Sequence, residues 1–269
     1  ARAAHVVRFL SAVIGLGTLL CIYGSGRLIW PEAPAIALLA TALVAFLPQF
    51  GFLHGAISND VLVIFFSSCA LWQLLRLWLN GTTTACLLLL GLTIGLAILT
   101  KMAGLLLLPL STLVLAMMAW RDWQILKESG QKAERVWWIH WLWSLLLVAI
   151  PALLLSSWLL WRNWTSYGDL TAANQFVDLA GGNRHFSLRQ VWHDMDRVAM
   201  SAIGYFGWMN VQPPRWLYLI WSAILLLGGG GWLFAAWRKR RKAGDNVESP
   251  SNGEEDRRLI ALWMGAWVA

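Results

Sequence analysis

Residues 85–120 read ACLLLLGLTIGLAILTKMAGLLLLPLSTLVLAMMAW, and Lys101 is the only charged residue among them. The apolar run on each side of Lys101 approaches the ~20 residues with which an α-helix crosses the hydrocarbon core of a bilayer. This stretch therefore predicts two membrane spans that are joined at Lys101 by a turn of very few residues.

Similar apolar runs occur along the whole chain. They cover residues 7–30, 35–52, 61–79, 85–99, 102–120, 136–161 and 217–237, and the chain from residue 259 onward. Tryptophan residues crowd the ends of these runs, at the boundary between lipid and water that such rings prefer. The pattern predicts an all-α fold, a polytopic bundle of about seven complete transmembrane helices and the start of an eighth, as a single domain over residues 1–269.

The composition excludes a soluble globular domain. Hydrophobic residues make up 58% of the 269 positions and charged residues only 13%, so the usual polar surface cannot be assembled and the lipid bilayer is an expected partner. The net charge of +7 comes from basic residues at the ends of the apolar runs, so nucleic acid is not an expected partner. Cys21, Cys69 and Cys86 have no paired spacing, so neither a disulfide framework nor a zinc site is predicted.

Basic residues also predict the orientation, because short loops rich in Lys and Arg face the cytoplasm. Two such loops contain the residues Arg121, Lys127, Lys132 and Arg135, and the run 238–242. Alternation between them predicts that residues 162–216 form an external loop and that residues 238–258 form a flexible cytoplasmic loop. The turns at 50–60 and at Lys101 are then external as well. Because the chain begins without Met and ends inside an apolar run, we expect it to be part of a longer protein.

An acidic residue, Asp60, stands at the predicted start of a span, where the external turn 47–60 ends. One interpretation is helix capping by Asn59 or Asp60, because carboxylates and short polar side chains stabilise a helix N-terminus. The other is that Asp60 and His54 line an external cavity, because ionisable groups at membrane depth are costly and usually face a polar pathway.

Two cations are also candidates for a site. Lys101 either extends its charge to the interface or holds a phosphate in a partly dry site. Arg162 follows a span on the external side, where it either anchors the interface or pairs with a phosphate or with Asp169. Directly after Arg162, the residues Asn163-Trp164-Thr165 match the glycosylation acceptor pattern, which is short enough to occur often by chance.

Two further patterns have structural interpretations. In residues 186–200, apolar residues recur at helical spacing among charged ones, which predicts an amphipathic helix on the external interface. The glycine run 228–231 lies inside a predicted span and predicts close helix packing or a local kink.

Taken in order, these features resemble the bacterial membrane glycosyltransferases of family 39, the protein-mannosyltransferase type of the GT-C class. The resemblance rests on Leu47-Pro48 with Ile57-Ser58-Asn59-Asp60, on Gly91 through Gly95-Leu96 to Leu99-Thr100-Lys101, on Arg162-Asn163 with Tyr167-Gly168-Asp169, and on Phe206-Gly207-Trp208. It implies transfer of a sugar, with inversion, from a polyprenyl-phosphate donor to an acceptor glycan, lipid or protein on the external face of the plasma membrane of a bacterium. The family's catalytic base lies in the first external loop, which we expect upstream of this chain.

The resemblance also implies roles for individual residues. Asp60 is the expected catalytic acid of this chain, orienting the acceptor or a donor hydroxyl. Binding of the donor, and of its phosphate above all, is expected from the residues Lys101, Arg162, His54, Asn59, Asn163, Tyr167 and Asp169. No cofactor is predicted, and a divalent metal, which some GT-C enzymes use, is left open. The alternatives are a transporter or flippase for a lipid-linked sugar and a noncatalytic membrane subunit.

Overall fold

A computed structural model describes residues 2–128, 137–179, 187–207 and 210–243. Over these ranges the protein is helical, apart from one isolated β-bridge between Phe206 and Val211. The helices are α1 Arg2–Ile29, α2 Pro34–Ala45, α3 Pro48–Gly55, α4 Asp60–Asn80, α5 Thr84–Thr100, α6 Leu107–Glu128, α7 Trp137–Tyr167, α8 Ala173–Leu179, α9 Leu188–His193, α10 Met195–Ile203 and α11 Arg215–Ala243. The predicted span from residue 259 lies outside the described residues, as do residues 244–258 of the predicted cytoplasmic loop.

The all-helical class and the membrane-spanning character are confirmed, whereas the number of spans is not. Within the described ranges, 4 helices are long and apolar enough to cross a membrane, or 5 if α2 and α3 count as one broken span. Helix α5 is a shorter apolar helix of 17 residues. At a rise of ~1.5 Å per residue it measures about 25 Å, slightly less than the hydrocarbon thickness.

The span predicted over residues 35–52 is not one continuous helix, because α2 ends at Ala45 and α3 begins at Pro48 with a bend of 62° between them. Proline has no N–H to donate and disfavours helical geometry in the residue before it, yet it fits the first position of a helix. The predicted turn 47–60 therefore contains α3. The span predicted to end at residue 161 also continues, as α7, through Arg162 to Tyr167.

The chain divides into two compact units. The first comprises Ala1–Ala45 and Leu53–His185, and the second comprises Phe46–Phe52 and Phe186–Ala269. In the second unit, Gln49 Oε1 accepts a hydrogen bond of 2.9 Å from the backbone N–H of Tyr205, and the rings of Phe52 and Phe206 lie 5.1 Å apart. These contacts attach the start of α3 to the turn that follows α10.

Helix directions in the first unit follow from contacts between named residues. Gly17 lies against Phe65 and Gly24 against Trp72, so residue numbers rise together along α1 and α4 and these helices are parallel. Gly91 lies against Val148 and Gly95 against Ala152, so α5 and α7 are parallel too.

The start of α4 lies beside the end of α5, because the Nδ2 of Asn59 donates a 3.0 Å hydrogen bond to the carbonyl of Thr100. Helices α4 and α5 are therefore antiparallel. One end of the unit, here called the Asp60 end, carries the N-termini of α1 and α4 and the C-termini of α5 and α7. The opposite end, here called the Arg121 end, carries Arg121, whose guanidinium donates a 3.1 Å hydrogen bond to the carbonyl of Trp78.

Candidate functional site

Asp60 and Lys101 form an ion pair at the Asp60 end of the first unit. The ammonium of Lys101 donates to Oδ1 of the Asp60 carboxylate. The second carboxylate oxygen accepts a 2.9 Å hydrogen bond from the hydroxyl of Ser58, which in turn accepts one of 3.1 Å from the backbone N–H of Asp60. The Lys101 and Asp60 side chains are 46% and 31% exposed, so the pair is open to solvent on one side.

The backbone on both sides of the ion pair is also connected. Asn59 occupies the N-cap position of α4 without a side-chain capping bond, because its amide donates across to Thr100 instead. Lys101 ends α5 in extended conformation, and its carbonyl accepts a 2.9 Å hydrogen bond from the N–H of Gly104. The capping role predicted for the Asn59 side chain is therefore wrong, and Asn59 instead holds the end of α5 against the start of α4.

The tight turn after Lys101 depends on a glycine. A Cβ added at Gly104 would lie 2.5 Å from the backbone carbon of Ala97, which real structures do not tolerate. The short helical turn Met102–Leu106 therefore folds directly back over the last turn of α5. This packing presents Lys101 at the reversal, where its side chain reaches Asp60.

Arg162 lies at the same end of the unit. Since Gly95 of α5 lies level with Ala152 of α7 and the helices are parallel, Arg162 stands about one helical turn, ~6 Å, beyond the level of Lys101. The Arg162 side chain is exposed, and among the described residues it has no carboxylate partner. The predicted alternative of pairing with Asp169 is therefore not observed.

Asn163 and Asp169 make local contacts around the end of α7. Asn163 is 5% exposed, and its amide donates a 3.1 Å hydrogen bond to the carbonyl of Leu170. A buried, engaged amide inside a helix is unsuited to glycosylation, so the acceptor pattern at 163–165 is a chance match. Tyr167, the last residue of α7, is 42% exposed.

The Asp169 carboxylate organises the turn before α8. Oδ1 accepts 2.9 Å hydrogen bonds from the N–H and the hydroxyl of Thr171, and Oδ2 accepts one of 3.2 Å from the N–H of Asn174. The backbone N–H of Thr171, followed by that of Asn174, holds the pKa of this carboxyl below its ordinary value because both bonds favour the charged form.

His54 is buried against α1. Its side chain is 6% exposed, and a Cβ added at Gly15 would lie 2.5 Å from Cδ2 of the imidazole. Gly15 therefore provides the space that the ring occupies. The structure thus brings Asp60, Asn59 and Lys101 together, places Arg162 at the same end, and packs His54 between helices.

One cation at this end, Arg8, was missed by sequence reasoning. Buried residues of α1 recur at spacings of three and four along one stripe, and they include Ser11, Gly15 and Thr18. Arg8 precedes Ser11 by three positions and Gly15 by seven, so it continues this stripe. From the pairing of Gly17 with Phe65, Asp60 is level with residue 12, so Arg8 lies about one turn beyond the start of α4 and is exposed. The regular spacing of small residues was the signal that could have identified it.

The described ranges contain no group of side chains that could hold a metal ion. Over residues 2–128, 137–179, 187–207 and 210–243, no cluster of three or more His, Cys, Asp or Glu side chains is found. The use of a divalent metal, which the sequence left open, therefore stays untested.

A comparison with known protein families gives a match. The family model described as dolichyl-phosphate-mannose-protein mannosyltransferase matches residues 2–167, a range that contains Arg8, Asp60, Lys101 and Arg162. No curated protein and no solved structure gives a significant match. Because the matched range covers more than half of the chain, this chain belongs to the dolichyl-phosphate-mannose-protein mannosyltransferase family, a family of membrane glycosyltransferases of the GT-C class.

Proposed function

We propose that the protein transfers a sugar from a polyprenyl-phosphate donor to an acceptor on the external face of the plasma membrane of a bacterium, with inversion at the sugar. The family uses polyprenyl-phosphate-linked sugar donors in general. The observation that carries the proposal for this chain is the Asp60–Lys101 ion pair, at the end of the helix unit that also carries Arg8 and Arg162.

The charges suit the bond that must break. As an acceptor hydroxyl oxygen bonds to the anomeric carbon, the bond from that carbon to the phosphate oxygen breaks, and negative charge develops on the leaving polyprenyl phosphate. Cations in a partly water-free site stabilise that charge more in the transition state than in the ground state. Lys101 and Arg162 bind this phosphate in our proposal, and Arg8 lies at the same end of the unit, on α1.

Asp60 is poorly suited to act as the base of the reaction. A carboxylate that is paired with an ammonium and accepts a hydrogen bond from the Ser58 hydroxyl is stabilised in its charged form. Such a group accepts hydrogen bonds from sugar or acceptor hydroxyls and fixes the direction of Lys101. In our proposal, Asp60 orients the substrates and is not the base that removes the acceptor proton.

The other candidate residues support this site from nearby. Asn59 keeps the ends of α4 and α5 together, and His54 packs α3 on α1. Asn163 and Asp169 shape the turn after α7, near Arg162, while exposed Tyr167 is available to a donor. We propose that these side chains act on the donor mainly by positioning the backbone and the cations.

A transporter or flippase for a lipid-linked sugar is the second candidate. The break between α2 and α3 favours it, because transporters often build their sites from discontinuous spans. A glycosyltransferase family match over the same residues outweighs that single break.

The test uses the full-length protein in lipid vesicles with a panel of labelled polyprenyl-phosphate sugars. We expect covalent transfer of the label, and we expect Asp60→Asn to lower transfer sharply while expression stays intact. Asparagine retains the size of the side chain, and a partly exposed ion pair contributes little, so that exchange costs ~1 kcal/mol of stability or less.

The matched control is Asp122→Asn, which removes an exposed carboxylate beside Arg121 at the other end of the unit. It is expected to transfer normally. Movement of intact donor across the vesicle membrane without transfer would instead support the flippase, and full activity of Asp60→Asn would remove Asp60 from the site.

A further inference from the structure

Two cysteine thiols meet between α1 and α4. The Sγ atoms of Cys21 and Cys69 lie 3.3 Å apart, which is within contact distance for sulfur, and both side chains are partly buried. The residues are 48 positions apart in the chain, so their contact is a product of the helix packing.

Aromatic rings of α4 pack directly on glycines of α1 on both sides of this contact. A Cβ added at Gly17 would lie 2.7 Å from Cε2 of Phe65, and one added at Gly24 would lie 2.9 Å from Nε1 of Trp72. The two glycines stand one helical turn before and one after Cys21, on the same face of α1. Both rings hold α4 against the face of α1 that carries Cys21, and the thiols need to approach by only about 1.3 Å to reach bonding distance.

The depth of the pair determines which oxidant can reach it. Cys69 is nine residues beyond the start of α4, so it lies ~14 Å inside the membrane, near the middle of the hydrocarbon core. Hydrophilic disulfides such as oxidised glutathione do not enter that region, whereas apolar two-electron oxidants such as quinones and molecular iodine do.

We propose that Cys21 and Cys69 are a modification site, at which a lipid-soluble two-electron oxidant joins α1 to α4 through a disulfide. With a quinone, the two S–H bonds break and one S–S bond forms, while two protons and two electrons pass to the quinone and give the hydroquinone. With iodine, one thiol forms a sulfenyl iodide and releases HI. The second sulfur then displaces iodide and loses its proton, and a second HI is produced. The disulfide fixes the register of the two helices that carry Arg8 and Asp60.

The experiment oxidises the full-length protein in lipid vesicles with molecular iodine and then blocks the remaining thiols with N-ethylmaleimide. We expect a peptide pair linked through Cys21 and Cys69 that lacks the mass of two hydrogen atoms and separates on reduction. Oxidised glutathione, applied in place of iodine, is expected to leave both thiols free. Recovery of Cys21 and Cys69 as separate, maleimide-labelled peptides after iodine treatment would overturn the proposal.

Two variants assign the linkage. Cys86→Ser keeps the pair and is expected to give the same linked peptide, whereas Cys69→Ala removes one partner and is expected to give none. A link from Cys21 to Cys86 in the wild-type protein would also contradict the proposed site. Because the wild-type result is decisive by itself, the test stands even if a variant folds poorly.

Discussion

At the scale of single residues, the cations at the Asp60 end outnumber the carboxylates that pair with them in the described ranges. Lys101 is paired with Asp60, while the exposed Arg162 has no carboxylate partner in the described ranges. A partly exposed ion pair contributes only ~0–1 kcal/mol to stability, so the pair is a weak contribution to folding. Its expected importance is therefore in binding, where a second anion can share the ammonium.

Lys101→Met in the full-length protein tests this expectation. Methionine retains an unbranched apolar side chain and removes the charge, so packing survives while a charge-assisted contact of roughly 1.5–3 kcal/mol is lost. Donor affinity is expected to fall about tenfold to a hundredfold, measured by titration with the polyprenyl-phosphate sugar.

The control for this titration is Lys127→Met. Lys127 lies over the ring of Trp123, 5.3 Å from its centroid, near the Arg121 end, and its loss is expected to leave donor affinity unchanged. The same titration on Arg8→Gln examines the third cation, with a loss of similar size expected. Unchanged affinity of Lys101→Met would mean that this side chain only extends to the interface.

At the scale of the elements, glycines determine how the helices pack. Gly91 and Gly95 of α5 lie against the backbone of α7 around Pro151, where the helix has lost a hydrogen-bond donor. The close packing predicted at residues 228–231 is not found, because α11 continues through this run and a Cβ at each of the four glycines would meet nothing within 4 Å in the described structure.

Gly91→Ala is expected to destabilise the protein by ~1–3 kcal/mol, because the added methyl group collides with the Val148 carbonyl and with Pro151, which is 3.0 Å away. The measurement is thermal unfolding of the purified protein in detergent. Gly228→Ala is the matched control and is expected to be neutral or slightly stabilising, since alanine is the better helix former. Equal unfolding temperatures for Gly91→Ala and wild type would show that α5 and α7 can separate freely at this contact.

At the scale of the whole molecule, the contacts sort the charges of the first unit into two groups. Asp60, Lys101 and Arg162 share one end, while Arg121 and the C-terminus of α4 share the other. At the second end, the sequence from the last turn of α6 onward has Lys127, Lys132 and Arg135 shortly after Arg121, and such a basic loop favours a cytoplasmic face. We therefore propose that the Asp60 end is external, as the donor and acceptor chemistry of the proposed function requires.

Cysteine labelling in intact cells tests this orientation. Suitable positions are Glu128 at the end of α6 and Ser166 near the end of α7. An impermeant thiol reagent is expected to label Ser166→Cys and to leave Glu128→Cys unlabelled until the cells are opened. The unmodified protein measures the background from its own three cysteines. The reverse labelling pattern would invert the topology and remove the external active face.

Much of the molecule could be predicted from local sequence. The apolar runs predicted the all-helical class and the membrane-spanning character because the preference of a side chain for lipid over water accumulates residue by residue along a run. The candidate residues Asp60, Lys101 and Arg162 could be named because charges are rare in such runs. The family, too, was recognisable from the order of these motifs, and the family match confirms it.

Contacts between distant residues were decided only by the tertiary structure. The pairing of Asp60 with Lys101, the bond from Asn59 to Thr100 and the meeting of Cys21 with Cys69 all join residues 41 or 48 positions apart. They depend on the rotation and register of one helix against another, which are determined by where glycines allow two backbones to approach and not by the hydropathy of either helix. The sequence by itself therefore determined which segments enter the membrane and which charges accompany them, while packing decided which of those charges and thiols meet.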